Sequence, residues 1–185
     1  MRKLTVFNFA TMNGYFKGPG GDISWHKNDD PEKNEFGEEG LKSDSTILFG
    51  RVTYEMMASF WPTPDAIKFA PEMAEGMNKA EKIVFSRSLK KADWNNTTII
   101  KENIVEEVRK MKQGTGRDMT ILGSGSIVNQ FAEAGLIDDF IFMIDPIALG
   151  DGTPLFKNIQ HVLELKLTKT QTFKSGVVVL WYQPV

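Results

Sequence analysis

A strand-like run that ends in a turn of glycines and serines is the clearest chemical feature of this sequence. The apolar run Met119–Leu122 leads into the turn Gly123–Ser126, and a stretch with helical spacing follows from Ile127. Glycine lets the backbone approach a ligand closely, and the first N–H groups and the dipole of a helix attract anions. The turn therefore predicts a phosphate site with Gly125 at its solvent-facing rim. The alternative to a phosphate site is a tight connection between strand and helix, in which a serine of the same turn serves only as the helix N-cap.

Two further turns also follow strand-like runs. Thr46–Phe49 leads into Gly50–Thr53, where Arg51 brings a forked positive charge and Thr53 could cap a helix or contact phosphate. Lys82–Phe85 leads into Ser86–Ser88, whose two hydroxyls and arginine suit a phosphate monoester. For the first turn, the alternative is that Arg51 is a surface residue beside an ordinary helix cap. For the second turn, the alternative is that Arg87 is a solvated loop residue.

These turns depend on elements that alternate between strand and helix, which favours an α/β fold with a mainly parallel central sheet flanked by helices. Helices are predicted from Pro31 toward Leu41, over Tyr54–Phe60, after Asn103, and through Val128–Ala132. The predicted strands are Leu4–Ala10, Thr46–Phe49, Lys82–Phe85, Thr97–Ile100, Met119–Leu122 and Phe140–Ile144. Because parallel strands share one carboxyl edge, we expect the three turns to face the same ligand.

The end of the chain predicts an antiparallel hairpin. Alternating leucines from Leu163 to Leu167 precede a turn at Lys174–Gly176 and the apolar run Val177–Tyr182. Together with Phe140–Ile144, this run is expected to form a long apolar edge. Such an edge needs covering, and a second copy across a two-fold axis would cover it.

The glycine-rich segment Thr11–Asp22 lacks periodicity and is interpreted as a functional loop rather than as an element. Several acids follow it near Trp25, and one that turned inward could donate a proton, although acids commonly lie in a solvated first helical turn. Trp61 could line the substrate end of the site or simply pack. The candidate acids are Asp29, Asp30, Glu32 and Glu35.

Composition narrows the classes of function. The 185 residues are 41% hydrophobic with a net charge of −2, which favours one domain over residues 1–185. The sequence has no stripe of basic residues, so we do not expect it to bind nucleic acid. It also has no apolar run long enough to cross a membrane and no evident signal peptide, so we expect a cytoplasmic protein. Cysteine is absent and the two histidines, His26 and His161, are far apart, so no metal site is expected.

Six motifs in order resemble the dihydrofolate reductase-like superfamily, and within it the C-terminal reductase domain of the bifunctional riboflavin-biosynthesis deaminase-reductase. They are Met12–Phe16, Phe49–Glu55, Val84–Arg87, Leu122–Ser126, Glu133–Asp139 and Pro146–Gly152. Asn13 stands where that family usually has an aspartate. The resemblance implies NADPH, with its pyrophosphate near Gly50–Thr53 and Gly123–Ile127, its 2′-phosphate near Arg87 and its nicotinamide around Ala10–Tyr15. It also implies a homodimer.

These observations define the candidate residues. The cofactor-binding candidates are Ala10, Gly50, Arg51, Val52, Thr53, Ser86, Arg87, Ser88, Gly123, Ser124, Gly125, Ser126 and Ile127. The candidates for substrate contact are Asn13, Tyr15, Trp25 and Trp61, and the catalytic candidates are Asn13, Asp30, Glu32 and Glu35.

We expect an NADPH-dependent reductase that transfers a hydride to a carbonyl or imine carbon of a small heterocycle, pteridine-like or ribosylaminopyrimidine-like. A nucleotide-binding module without turnover is the alternative. A purely structural dimer is a third possibility, and it predicts that no nucleotide is bound.

Overall fold

The computed structural model describes residues 1–27, 30–42 and 45–185. The strands are β1 (Leu4–Thr11), β2 (Tyr15–Lys17), β3 (Thr46–Gly50), β4 (Lys82–Phe85), β5 (Thr97–Ile100), β6 (Met119–Leu122), β7 (Asp139–Asp145), β8 (Thr153–Pro154), β9 (Leu165–Thr172) and β10 (Val178–Pro184). The helices are α1 (Pro31–Lys42), α2 (Arg51–Phe60), α3 (Pro64–Phe69), α4 (Pro71–Lys79), α5 (Ile104–Gln113) and α6 (Gly125–Glu133).

Eight strands form one sheet in the order β5-β4-β3-β6-β1-β7-β10-β9. The first six of these are parallel, whereas β10 runs antiparallel to both β7 and β9. The predicted α/β class, with a mainly parallel sheet and a C-terminal antiparallel hairpin, is confirmed. Strand β6 lies between β3 and β1, so the carboxyl ends of β4, β3, β6 and β1 are neighbours along one edge.

Helices cover both faces of this sheet because successive strand residues point to opposite sides. On β1, Val6 packs in the cluster that contains Val128 and Phe131 of α6. Phe7, one residue later, packs on the other face with Phe36 of α1. Helices α2 and α4 extend that second face over β3 and β4. Helices from opposite faces therefore reach the same carboxyl edge.

Strand β4 begins with a buried lysine at the opposite, amino edge. The Lys82 ammonium donates to the carbonyl oxygens of Met77, Asn78 and Ala80, which close the C-terminal end of α4. It also lies 4.5 Å above the ring of Trp94. Burial lowers the pKa of Lys82 from 10.5 to about 8.

The expectation of an apolar sheet edge formed by Phe140–Ile144 and the C-terminal run is wrong. Strand β7 pairs with β1 and β10, and β10 pairs with β7 and β9, so both are interior. The edge strand is β9, which is mostly exposed and polar and carries Lys166 and Lys169. Charged residues of this kind protect an edge from pairing with another strand.

The segment after β1 contains an element that its irregular composition did not predict. The N–H of Gly14 (φ +87°) donates to the Thr11 carbonyl, which reverses the chain and lets β2 pair with β8. A Cβ at Gly152 would lie 2.5 Å from the Lys17 carbonyl oxygen, so this close pairing requires glycine. Among the described residues, no helix is long and apolar enough to cross a membrane.

Candidate functional site

The turns after β3 and β6 are joined by a buried hydrogen bond. The backbone N–H of Gly50 donates to Oγ of Ser124 at 2.9 Å. Gly123 and Ser124 both adopt left-handed conformations with φ of +60°, and a Cβ on Gly123 would lie 3.2 Å from Cγ2 of Thr53. The N-terminal ends of α2 and α6 therefore meet at one place on the sheet edge.

These two helix ends lack the partners that usually satisfy a helix N-terminus. Ser124 stands at the N-cap position of α6, but its side chain makes no capping hydrogen bond, and Gly50 has no side chain to cap α2. Neither helix has an acid in its first turn, whereas each of the other four α-helices in the described part of the chain has at least one. The paired ends are thus chemically open to an external anion.

Gly125 does not lie at a solvent-facing rim, so that expectation is wrong. It is buried at the start of α6, and a Cβ there would lie 3.0 Å from Cζ of Phe16 and 3.4 Å from the Leu155 carbonyl oxygen. The absence of a side chain lets α6 rest against the β2–β8 ribbon. Ser126, the next residue, is exposed, and Ile127 is buried in the core.

The third predicted turn lies at the end of β4, next to β3 in the sheet. Ser86 is buried, and its Oγ accepts from the N–H of Leu89 and lies 3.5 Å from Oγ of Ser88. Arg87 is exposed. Arg51, at the start of α2, is half-exposed and forms a two-point ion pair with Glu55 on the same helix, and Val52 beside it is exposed.

Strand β1 leaves a notch beside these turns. All of β1 from Thr5 to Thr11 pairs with β7, but its pairing with β6 stops at Phe7 opposite Leu122. Beyond that point β6 turns away at Gly123, so within the described ranges Asn8–Thr11 has no ladder partner on that side. The notch corresponds to one missing strand, a spacing of about 5 Å. The backbone groups of Phe9 face it, since the Phe7 carbonyl two residues earlier accepts from Gly123 on that side, whereas those of the buried Ala10 face β7.

Asn8 is a polar side chain without a partner at the start of this notch. It is 3% exposed, and neither its Nδ2 nor its Oδ1 has a hydrogen-bond partner within the described part of the chain. An unsatisfied buried amide is costly and calls for an explanation such as a bound polar group. The half-paired strand and this amide fit a flat, polar ring such as nicotinamide.

The four candidates for substrate contact differ in burial and in hydrogen-bond partners. Asn13 accepts from the Thr11 hydroxyl and exchanges two hydrogen bonds with the backbone of Leu149, which ties two loops together. Tyr15 is half-buried on β2. Trp25 is buried and donates to the Asp22 carbonyl. Trp61 packs with the α2–α4 cluster and donates to Sδ of Met57.

The candidate acids are occupied by structural contacts or exposed. Asp30 caps α1 by accepting from the N–H groups of Glu32 and Lys33, and it also accepts from Ser175. The Ser175 hydroxyl is the main cause that lowers the pKa of Asp30, against the opposing effect of burial. Glu32 pairs with Lys174 on the surface and Glu35 is exposed. Asp29 lies outside the described residues.

A buried histidine–aspartate pair joins the loop before α1 to the end of β7, the strand next to β1, and the sequence reasoning missed it. Nδ1 of His26 is 2.8 Å from Oδ2 of Asp145, and the two side chains are 7% and 5% exposed. The imidazole stacks on Phe9 with ring centroids 3.6 Å apart. The residues of the pair are 119 positions apart, so no local pattern could have connected them.

A parallel sheet with a C-terminal hairpin, two open helix ends and a notch beside the first strand define the dihydrofolate reductase-like class of folds. Solved structures agree with this architecture. Over 99% of both chains, a putative riboflavin biosynthesis protein from Shewanella sp. PV-4 superimposes with a TM-score of 0.77 at 18% identity. Dihydrofolate reductase from Enterococcus faecalis, in complex with NADP(H), superimposes with a TM-score of 0.64 at 18% identity, over 98% of this chain and 96% of that one.

The sequence itself identifies the family. Residues 2–179 match the RibD C-terminal domain family, and the chain belongs to it. The uncharacterized Bacillus subtilis protein YyaP is 32% identical over 98% of this chain and 94% of its own length. A Thermotoga maritima diaminohydroxyphosphoribosylaminopyrimidine deaminase/5-amino-6-(5-phosphoribosylamino)uracil reductase superimposes with a TM-score of 0.68 at 13% identity, and this chain covers 57% of it.

Proposed function

We propose that this protein is an NADPH-dependent reductase that transfers a hydride to a carbonyl or imine carbon of a small pteridine-like or ribosylaminopyrimidine-like heterocycle. The observation that carries the proposal is the meeting of two open helix N-termini through the Gly50–Ser124 hydrogen bond. Family membership supports a reductase role. The Enterococcus dihydrofolate reductase, which holds NADP(H), shares the fold and supports a nicotinamide cofactor.

The residues of the sheet edge fit such a cofactor. The first-turn N–H groups of α2 and α6 would bind the pyrophosphate, with Ser126 exposed between them. Backbone groups of Phe9 and the unpartnered amide of Asn8 would position the nicotinamide in the notch. When bound, NADPH supplies the hydride, and the protein contributes orientation and exclusion of water.

Cofactor choice follows from the end of β4. Arg87 extends from a turn with two hydroxyl groups, at the carboxyl edge next to β3. A guanidinium with neighbouring hydroxyls suits the 2′-phosphate that distinguishes NADPH from NADH. We therefore expect the protein to prefer NADPH.

A nucleotide-binding module without turnover is the second candidate. The observation that favours it is the structural use of the candidate acids, since Asp30 caps α1 and Glu32 pairs with Lys174. Both candidates predict NADPH binding. Consumption of NADPH with a panel of pteridines and ribosylaminopyrimidines separates them: reduction of any member supports the reductase, and binding without reduction of any member supports the module.

The assembly and location of the protein are also proposals. The resemblance of the chain to riboflavin-pathway reductases supports a homodimer in the cytoplasm, with a small molecule rather than nucleic acid as its partner. Light scattering should then give twice the chain mass of 20.8 kDa. A mass equal to that of one chain at micromolar concentration would contradict the dimer.

A further inference from the structure

The buried pair of His26 and Asp145 joins the loop before α1 to the end of β7, and the proposed cofactor site does not use it. Asp145 ends β7 and lies opposite Thr11 in the β1–β7 register, so it stands at the carboxyl edge of the sheet. The N–H of Ile147 already turns the chain there by bonding the Asp145 carbonyl, so the loop does not need the side chain to form its turn. Holding a histidine at this point costs desolvation of two polar groups.

The imidazole is placed against the part of β1 that lines the notch. It stacks on Phe9, which belongs to the segment Asn8–Thr11 whose other edge has no ladder partner. Phe9 and Asp145 both point to the face covered by α1, opposite the face covered by α6. A heterocycle stacked on a ring in the notch, on the α1 face of the sheet, would therefore lie beside the stacked rings of Phe9 and His26.

The two ring nitrogens of His26 have different surroundings, because Nδ1 is hydrogen-bonded to Asp145. A carboxylate that accepts from Nδ1–H holds the orientation of the ring and leaves Nε2 as the nitrogen that can exchange a proton with a ligand. Nε2 makes no hydrogen bond or ion pair within the described part of the chain. A histidine oriented in this way can act as a general acid when Nε2 carries a proton.

We propose that His26, positioned by Asp145, donates the proton that completes reduction of the bound heterocycle. This inference rests on the proposed reductase function and deepens it. The carbonyl or imine carbon gains the hydride supplied by the reduced nicotinamide, and the π electron pair moves onto oxygen or nitrogen. That atom takes the proton from Nε2 of His26, and water then returns a proton to the neutral imidazole. The substrate is thus one whose polar double bond needs a proton at its heteroatom.

The test uses the two amide substitutions of histidine. In His26→Asn the amide nitrogen replaces Nδ1 and can still donate to Asp145, but the group at Nε2 is removed. In His26→Gln a donor remains near Nε2 but cannot give up its proton. We expect kcat to fall about 100-fold or more in both variants with the KM for NADPH unchanged. Free imidazole should restore activity to His26→Ala.

The matched control is His161, whose Nδ1 also meets a carboxylate, that of Glu133 at 2.9 Å, but whose side chain is 87% exposed. His161→Gln should leave kcat unchanged and also identifies which imidazole signals belong to His26 in ¹⁵N NMR spectra. In the NADP⁺ complex, folic acid as a pteridine probe or 5,6-diaminouracil as a pyrimidine probe should shift Nε2 of His26 and leave His161 unmoved.

The outcomes separate the two proposals. Wild-type turnover with unchanged kcat in His26→Asn and His26→Gln would overturn the role of His26 and leave the reductase proposal standing. NADPH binding, with no probe reduced and no shift at Nε2, would also overturn it. A protein that neither binds nor oxidises NADPH would overturn the reductase proposal, and the role of His26 with it. A fall in melting temperature and in NADPH affinity without imidazole rescue would mean that His26 is only structural.

Discussion

Oγ of Ser124 accepts a hydrogen bond from the buried backbone N–H of Gly50 at 2.9 Å, across 74 positions of sequence. This bond fixes the distance between the first turn of α2 and the first turn of α6. Each turn alone is an ordinary strand-to-helix connection. Held together, they bring two sets of N–H donors to one place, as the proposed binding of an extended diphosphate requires.

Ser124→Ala should weaken both the fold and the site. The change leaves the Gly50 N–H buried without an acceptor, which costs about 1–3 kcal/mol, and it frees the two turns to move apart. Ser124→Gly is the matched control, since it removes the same bond but relieves the left-handed backbone at φ +60°. Urea denaturation should rank the alanine variant as less stable than the glycine variant. NADPH affinity equal to wild type in both would show that the bond does not organise the site.

Gly125→Ala should destabilise the protein because its Cβ would press on Phe16 and on the Leu155 carbonyl. Overpacking of this kind costs about 1–3 kcal/mol. Gly150→Ala is the control, since a Cβ at Gly150 would have no atom within 4 Å. Thermal melting of the two variants checks this. Equal melting temperatures would mean that the β2–β8 ribbon can shift to accommodate the Cβ. In that case the absence of a side chain at Gly125 would be better explained by close approach of the backbone to a ligand.

Arg87→Ala should remove most of the preference for NADPH over NADH. A charged hydrogen bond to a phosphate contributes about 1.5–3 kcal/mol, so NADPH affinity should fall about 10- to 100-fold while NADH affinity is unchanged. Lys90→Ala, in the same exposed connection, serves as the control. Fluorescence titration with the two cofactors measures this. Equal affinity of the unmutated protein for NADPH and NADH would contradict the assignment.

Lys82 should make stability rise in alkaline solution. Its pKa is 10.5 in an ordinary environment and about 8 in the fold, so the folded state releases the proton first. The unfolded state therefore binds more protons between about pH 8 and 10.5, and the free energy of unfolding increases across that window. Below pH 8 both states are protonated and this group adds no slope.

Denaturation of the wild type and of Lys82→Met at several pH values from 7 to 11 isolates the effect. The difference in unfolding free energy between the two proteins should change across the window and stay flat below it. Lys90→Met, exposed, should show no such difference from wild type. A flat difference throughout would mean that Lys82 titrates normally despite its burial.

Much of the fold could be predicted because it depends on local patterns. The apolar runs at Leu4, Thr46 and Met119 are short, uninterrupted and bounded by turn residues, and each became a strand. Strand order could not be read in this way, since periodicity says which face a residue takes but not which strand lies beside it. The interior position of Phe140–Ile144 was missed for that reason.

The candidate site could likewise be predicted from the sequence only in part. Gly50, Ser124 and Arg87 could be proposed from the sequence because they directly follow strands along the chain, and the structure brings Gly50 and Ser124 into contact. The contact of Gly125 with Phe16 was missed because the loop that carries Phe16 has no periodicity to place it. The same holds for His26 and Asp145, which meet only after the loop has packed over β1. Residues far apart in sequence meet only in the completed tertiary fold.

The insertion of Met119–Leu122 between β3 and β1 has a consequence for synthesis. A nascent chain that has reached residue 118 already contains β1 and the β3–β5 group, yet these two pieces share no strand pairing. Until β6 has been synthesised, each piece has an unpaired strand edge with which strands of other chains could pair. The risk of aggregation is therefore greatest in this interval. Folding must bring together distant segments, which makes it slow. The proposed cofactor site spans both pieces, so it cannot form before the central strand β6 has joined them.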